Sequence, residues 1–316
     1  MSELIEQQLD VIEALVKTRM PGGMYQFELY DLGTESSYAR GAVDEAMPWG
    51  SVYKLFVIAA IVQMIDEGAL QRNELLRLDP SLYRRGEGVL QQFSDLTHLS
   101  VVDCCKMVVA TSDNVCADTL HTLAGNQRIA SMFAAAGCSR SRVTDNLDTL
   151  IGRLLAAPHR WSAPDYMYSS AMFENYESAI ASVLPENHTT ATDCNRMWRF
   201  LNATAYRPPA RDLFFEIART HNIHSRVSRY VNYCASPKMC GKTGSIGAGR
   251  VMNETNLIYD PHSKKPLGFF SFFSQHNREK YYAIYDVLAC VGLELAKIYH
   301  VSADRHYGDK TEAYPT

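Results

Sequence analysis

PWGSVYKLFVIAAIVQMIDEGAL, residues 48–70, is the stretch on which the fold of this chain turns. Its apolar run, Leu55 to Ile65, is too short to span a bilayer. The run leaves no polar stripe at helical spacing, so it reads as a helix buried all round near the centre of the molecule. Ser51 stands at its N-terminal end and Gly68 near its stop. Lys54 opens it, and a lysine at the mouth of the most apolar helix is an unlikely choice for a solvent-facing position. One helical turn separates the two residues, which turns the Lys54 amine back toward the Ser51 hydroxyl. A serine hydroxyl is a poor nucleophile until a base takes its proton. An amine buried beside other cations gives up its own proton more readily and can be that base. On its own, Ser-x-x-Lys is weak, because a serine N-cap followed by a surface lysine has the same letters.

Two further motifs follow in order. Ser112-Asp113-Asn114 falls between two helical stretches. Ser112 offers a hydroxyl for proton relay, and Asn114 offers both a donor and an acceptor to a substrate amide. The bland alternative is an N-cap for the helix at Val115. Lys242-Thr243-Gly244-Ser245 falls in a predicted strand. There the missing side chain of Gly244 lets another backbone or a substrate approach, and Lys242 with Thr243 suits a carboxylate. The backbone N–H groups of Ser245 and Ser51 together form an oxyanion hole in this reading. Each motif alone is ambiguous. Three in order, each on the element type its chemistry requires, agree across levels.

Around these motifs the pattern predicts mixed α and β structure. Leu4, Ile5, Leu9, Ile12, Leu15 and Val16 mark an amphipathic first helix. Strands are predicted at Met24–Leu32 and around Tyr38–Val43, and again at Lys238–Ile246, Arg250–Asp260 and Pro266–Gln275, before a last helix from about Arg278 to Tyr299. The middle is helical, with Val101–Asn114, two helices parted near Gly125, and Ala191–Thr204. Thr144 to Pro185 is the least legible stretch. Strands at both ends flanking a helical middle imply one sheet built from both termini, an α+β arrangement with an all-helical lobe inserted. The expected division is an α/β lobe of about 1–50 and 205–316 and a helical lobe of about 51–204.

Composition narrows the function class. The 316 residues are 47% hydrophobic and 21% charged, ordinary for a globular chain with a sizeable core. A net charge of −4 with no Lys/Arg block argues against nucleic acid as a partner. The N-terminus carries Glu3, Glu6 and Asp10 where a secretory leader would need positive charge and then apolar residues, so the chain as written is expected to be cytoplasmic, or periplasmic or secreted if a leader has been trimmed. Eight cysteines without a CxxC pair read as buried thiols rather than a disulfide framework. His221 and His224 lack further ligands at zinc spacing and read as an incidental surface pair. No metal and no cofactor are implied.

The three motifs together are the signature of class A β-lactamases and penicillin-binding proteins, and the chain resembles class A serine β-lactamases over about four fifths of its length. The likeness extends through PWGSVYKLFVIAAIVQMIDEGAL, through EGVLQQFSDLTHLSVVDCCKMVVATSDNVCADTL with its Gly88–Leu90 turn, through ENHTTATDCNRMWRFL, and through CGKTGSIGAGRVMNETNLIYDP. The resemblance implies a β-lactamase/transpeptidase-like fold: a five-stranded antiparallel sheet flanked by helices plus the helical lobe, with the active site in the cleft between. It implies a serine hydrolase acting on a small β-lactam, amide or ester that bears a carboxylate. Ser51 is the expected nucleophile, Lys54 a base, and Ser112 a proton shuttle. Asn114, Lys242, Thr243 and Ser245 bind substrate, and Arg250 is a candidate carboxylate-binding arginine within a residue of register.

The family deacylates with a Glu-x-x-x-Asn pair on an omega loop, and this chain has no clean match. Counting back from Thr189-Thr190 reaches Glu174, with Ser178 in place of the asparagine; Glu177 and Asp165 are weaker candidates. With such a base the acyl-enzyme is hydrolysed. Without it the chain behaves as a D,D-peptidase-like protein, or as a biosynthetic acyltransferase or esterase.

Overall fold

The computed structural model describes residues 1–78, 88–93, 95–156, 176–233, 236–246, 250–276 and 281–304. Five strands make one antiparallel sheet: β1 (Met24–Asp31), β2 (Ser36–Gly41), β3 (Lys238–Ile246), β4 (Val251–Tyr259) and β5 (Pro266–Gln275). Their spatial order is β2-β1-β5-β4-β3, so the two ends of the chain do close a single sheet. The register sets Phe27 opposite Phe272, Lys242 opposite Thr255 and Ser245 opposite Met252. This is the five-stranded antiparallel sheet with flanking helices that the resemblance implied.

Helices follow the apolar spacing. They are α1 (Ser2–Arg19), α2 (Lys54–Asp66), α3 (Val101–Thr111), α4 (Asn114–Ala124), α5 (Asn126–Ala135) and α6 (Leu147–Ala156), then α7 (Tyr176–Val183), α8 (Ala191–Ala203), α9 (Pro208–Ala218), α10 (Ser228–Val231) and α11 (Tyr281–Asp304). In α1, Ile5, Leu9, Ile12 and Val16 recur at steps of four and three and are fully buried. Each such burial stabilises by about 1.5–3 kcal/mol relative to exposure. They meet Leu288, Val291 and Leu295 of α11 and, on the sheet, Phe27, Leu29, Met252, Phe270 and Phe272. Strand alternation sends Tyr30, Leu257, Phe269 and Phe273 to the other face, against a core that contains α2, α8 and α9.

Both faces of the sheet are therefore covered, which explains why β4 is buried along nearly its whole length, Asn253, Glu254, Thr255 and Asn256 included. Several of the polar residues buried here find partners inside. Asn195 of α8 donates to the Glu28 carbonyl of β1 at 2.8 Å and accepts from Ser271 of β5 at 2.8 Å, and Trp198 donates to Thr255 Oγ1 at 2.7 Å.

The central helix is buried from Lys54 to Val62. Its start differs from the sequence expectation: Gly50–Tyr53 is a 3₁₀ turn, and the α-helix proper begins at Lys54. The tighter turn brings the Lys54 N–H onto the Ser51 carbonyl and lodges Ser51 between turn and helix. In the stretch that was least legible, α6 and α7 are the described elements. No described helix is long and apolar enough to cross a membrane.

Candidate active site

Lys54 is 0% exposed. Its amine donates to the Ser112 carbonyl at 2.6 Å and to Asn114 Oδ1 at 2.6 Å, and stands 3.2 Å from the Ser112 hydroxyl. Two of these oxygens can only accept, so two of the amine's hydrogens are committed to them. A lysine buried this deeply requires such partners, and the second motif supplies all three.

The way the chain turns at Ser112 makes this possible. Helix α3 ends at Thr111, and Ser112 takes the left-handed conformation, φ 59° and ψ 27°. That costs a non-glycine residue about 1–2 kcal/mol, and it aims the carbonyl and hydroxyl of one residue at the same amine. Asp113 then caps α4, accepting from the Cys116 N–H at 3.0 Å. The motif does cap a helix, as its N-cap reading expected. The other Asp113 oxygen accepts from Leu90 N–H at 3.0 Å, which pins the Gly88–Leu90 turn to the motif.

The third motif arrives on β3. Lys242 is 0% exposed, and its amine donates to the Ser112 hydroxyl at 3.0 Å and to the Thr243 carbonyl at 2.7 Å. Ser112 Oγ is thus shared by the two lysines. The strand itself lies on the turn that carries Ser51. A Cβ built at Gly244 would stand 2.7 Å from the Trp49 carbonyl oxygen and 2.9 Å from the backbone nitrogens of Ser51 and Val52. A Cβ at Gly50, whose φ is +54°, would stand 2.9 Å from Ser245 N. Two glycines facing each other bring the Ser51 and Ser245 backbones together, as an oxyanion hole requires. Asn253 of β4 tightens the same joint by donating to the Pro48 and Trp49 carbonyls at 2.7 and 3.1 Å.

The remaining expected residues divide. Thr243 and Asn114 are buried beside their motif partners, and Ser245 is half-buried at the strand end. Arg250 precedes β4 beyond the Ile246–Val251 pair, and its guanidinium reaches the His276 carbonyl at 3.5 Å. The guanidinium that lies on the KTGS strand belongs to Arg226, which the sequence did not single out. Arg226 is 3% exposed, donates to the carbonyls of Gly244 at 2.8 Å and Asn253 at 2.7 Å, and reaches the Ser245 hydroxyl. Glu174 and Asp165 lie outside the described residues, as do the side chains of Glu177 and Ser178.

The histidine pair also departs from its expected surface setting. His221 is 4% exposed, with its ring 5.5 Å from that of His224. Burial, then the charge of Lys242, holds His221 well below the ordinary histidine range, so it is neutral at pH 7. The described cysteines are free thiols, nearly all buried. Among the described residues no three His, Cys, Asp or Glu side chains group as a metal site would.

Helix α4 also carries Asp118, one turn beyond Asn114. Its carboxylate accepts from the N–H groups of Leu147 at 2.7 Å and Asp148 at 2.8 Å, and so ties the start of α6 to the helix of the second motif. Burial raises the Asp118 carboxyl, opposed by these two N–H groups and by the charge of Lys54.

Comparison with known proteins agrees with this geometry. A beta-lactamase from Xanthomonas campestris pv. campestris superposes with a TM-score of 0.73 at 18% identity, over 93% of this chain and 98% of that one. A beta-lactamase from Sphaerobacter thermophilus gives 0.72 at 18% identity, over 92% and 97%. PBP-A, solved in a mutant form as an acyl-enzyme complex with penicillin G, gives 0.69 at 15% identity, over 95% and 97%. No curated protein matches. The likeness to the solved structures establishes the β-lactamase/transpeptidase-like fold. The model of the beta-lactamase enzyme family matches residues 7–298, and the chain belongs to that family.

Proposed function

We propose that the protein is a serine acyl-transfer enzyme of class A type, acylated at Ser51 by a β-lactam or a related amide or ester bearing a carboxylate. The observation that carries this reading is the position of one atom: Ser112 Oγ lies 3.2 Å from the Lys54 amine and 3.0 Å from the Lys242 amine. One residue of each motif, Lys54, Ser112 and Lys242, contributes to that contact, and Lys54 directly follows the turn that holds Ser51.

The chemistry follows from the geometry. Ser51 Oγ attacks the carbonyl carbon, and its proton goes to Lys54. Lys242 favours that role: a second ammonium so close disfavours a full charge on Lys54. The N–H groups of Ser51 and Ser245 take the charge that develops on the carbonyl oxygen. Lys54 returns the proton through the Ser112 hydroxyl to the leaving nitrogen as the C–N bond breaks. Lys242, Thr243 and Arg226 provide a positive, hydrogen-bonding wall for the substrate carboxylate.

Hydrolysis then needs a base to activate water. Glu174 is the candidate from sequence order. Asp148 is a second candidate: it is exposed at the start of α6, and its backbone N–H is held by the Asp118 carboxylate, which lies one helical turn beyond Asn114 on α4. The alternative is a long-lived acyl-enzyme, as in a D,D-peptidase-like protein or an acyltransferase, and the likeness to PBP-A supports it. A chromogenic cephalosporin with intact-mass detection tests both readings. Steady turnover, or a stoichiometric adduct, that disappears in Ser51→Ala is expected. Neither turnover nor adduct in the native protein would refute acyl transfer to β-lactams.

A further inference from the structure

Glu254 sits in the middle of β4 opposite Thr243, and it is 0% exposed. Among the described residues no lysine or arginine lies within salt-bridge reach of it. A carboxylate in this setting loses the hydration of water and must recover it from fixed groups. Its Oε2 accepts from the Val227 N–H at 3.0 Å, the Ser228 N–H also points to it, and the charge of Arg226 acts on it. Helix α11 closes the same segment from the far side: a Cβ at Gly292 would fall 1.8 Å from the Val227 carbonyl oxygen. Residues 226–228 are therefore clamped between a buried carboxylate and a helix.

Arg226 stands at the head of that clamp. Both of its terminal nitrogens are spent on the substrate-facing edge, on the carbonyls of Gly244 and Asn253 and on the Ser245 hydroxyl. Among the described residues its Nε has no hydrogen-bond partner, and neither has Glu254 Oε1. The two side chains act on each other as charges across a gap rather than as a bidentate pair. If the clamp shifts, the guanidinium shifts with it.

We propose that Glu254 is a positioning residue for substrate recognition: it fixes Arg226 against Gly244, Ser245 and Asn253, and so sets the positive charge that meets an anionic substrate. The inference rests on the reading of Arg226 as part of the carboxylate wall. It assigns Glu254 a role in substrate selection that burial alone does not require. Among the described residues, the groups that act on it are Arg226, the Val227 and Ser228 N–H groups and Asn256.

Glu254→Gln separates the two roles. The glutamine carbonyl oxygen can still accept from Val227, so the clamp survives, but the charge opposite Arg226 is gone. The full chain is acylated with a cephalosporin and with its methyl ester, in which the carboxylate is masked, and the second-order acylation rate is read by stopped flow or intact mass. Arg226→Ala is expected to slow the free acid about tenfold and leave the ester within about threefold. Glu254→Gln is expected to slow the acid about five- to tenfold and spare the ester, and to add nothing in the Arg226→Ala background. An acid rate within twofold of native in Glu254→Gln, equal losses for acid and ester, or multiplying effects in the double variant overturn the proposal. Equal losses in Arg226→Ala overturn the underlying reading of that arginine instead. Should the glutamine variant fail to fold, Glu254→Asp keeps the charge, and it is expected to lose rate on the acid alone and by less. Equal losses there count against the proposal in the same way.

Discussion

Adding one methyl group at Gly244 is expected to cost catalysis far more than it costs the fold. In Gly244→Ala the new Cβ would lie 2.7 Å from the Trp49 carbonyl oxygen and 2.9 Å from Ser51 N and Val52 N, whereas ordinary contact begins near 3.4 Å. The strand and the nucleophile turn must therefore part by about 0.7 Å, the difference between 3.4 and 2.7 Å. All three opposing atoms are backbone, so no side chain can swing aside. Gly244 does not have a positive φ, and alanine in a strand recovers about 0.5–1 kcal/mol of backbone entropy. Overpacking costs about 1–3 kcal/mol, which leaves a net loss of about 0–2.5 kcal/mol that a domain of ordinary stability survives. The oxyanion donors are less forgiving. Ser51 N and Ser245 N lie on opposite sides of this joint, and moving one by 0.7 Å takes a 2.9 Å hydrogen bond past the range in which it is useful. Losing one such donor lowers the rate about 10²–10³-fold, or about 2.7–4 kcal/mol of transition-state stabilisation. Acylation by a chromogenic cephalosporin, followed beside a thermal melt of the same sample, checks both halves. A folded Gly244→Ala protein that acylates within threefold of native would refute the assignment of this joint as the oxyanion site.

Two further outcomes are expected. Asp113→Ala removes the cap of α4 and strands the Leu90 N–H, which should destabilise the protein by about 2–4 kcal/mol in a denaturant titration. It should also slow acylation, because the same residue sets the path of Ser112 and Asn114; a variant as stable as native contradicts the linkage of the Gly88–Leu90 turn to the motif. For deacylation, Glu174→Gln and Asp148→Asn should behave differently. Whichever residue is the base, its amide variant should still acylate but accumulate adduct visible by intact mass, with turnover down by about 10²–10⁴-fold, and if neither does, hydrolysis uses a different group.

Much of the site could be read from the chain because its polar residues sit where apolar pattern makes them conspicuous. Lys54 heads a helix that runs apolar from Leu55 to Val62, and it is as buried as that context demanded. Ser112 and Asn114 flank a helix boundary, where capping residues already draw attention, and Lys242 sits between two glycines in the middle of a strand. The strands Lys238–Ile246 and Pro266–Gln275 have the bounds the pattern gave them, since their alternation meets a core on each face. Helix α9 was not read because Pro208-Pro209 looks like punctuation, although proline suits a first helical turn that lacks N–H partners in any case.

Arg226 and Glu254 were hidden for a different reason. Arg226 lies in an irregular segment, and its partners are mostly backbone carbonyls, which leave no trace in residue types. Glu254 sits in a strand whose alternation marks it as facing away from the Thr255 side, and a charged residue at such a position reads as solvated. It is buried because α10 and α11 cover the second face of the sheet, a tertiary fact with no local signature. His221, read as surface, is likewise enclosed, with its ring against that of His224. The groups proposed as catalytic declare themselves by standing on apolar elements, whereas those proposed to hold them do so through main-chain contacts. A substitution scan guided by motif alone would therefore reach Ser51 and Lys54 and pass over the two charges that shape the opposite wall.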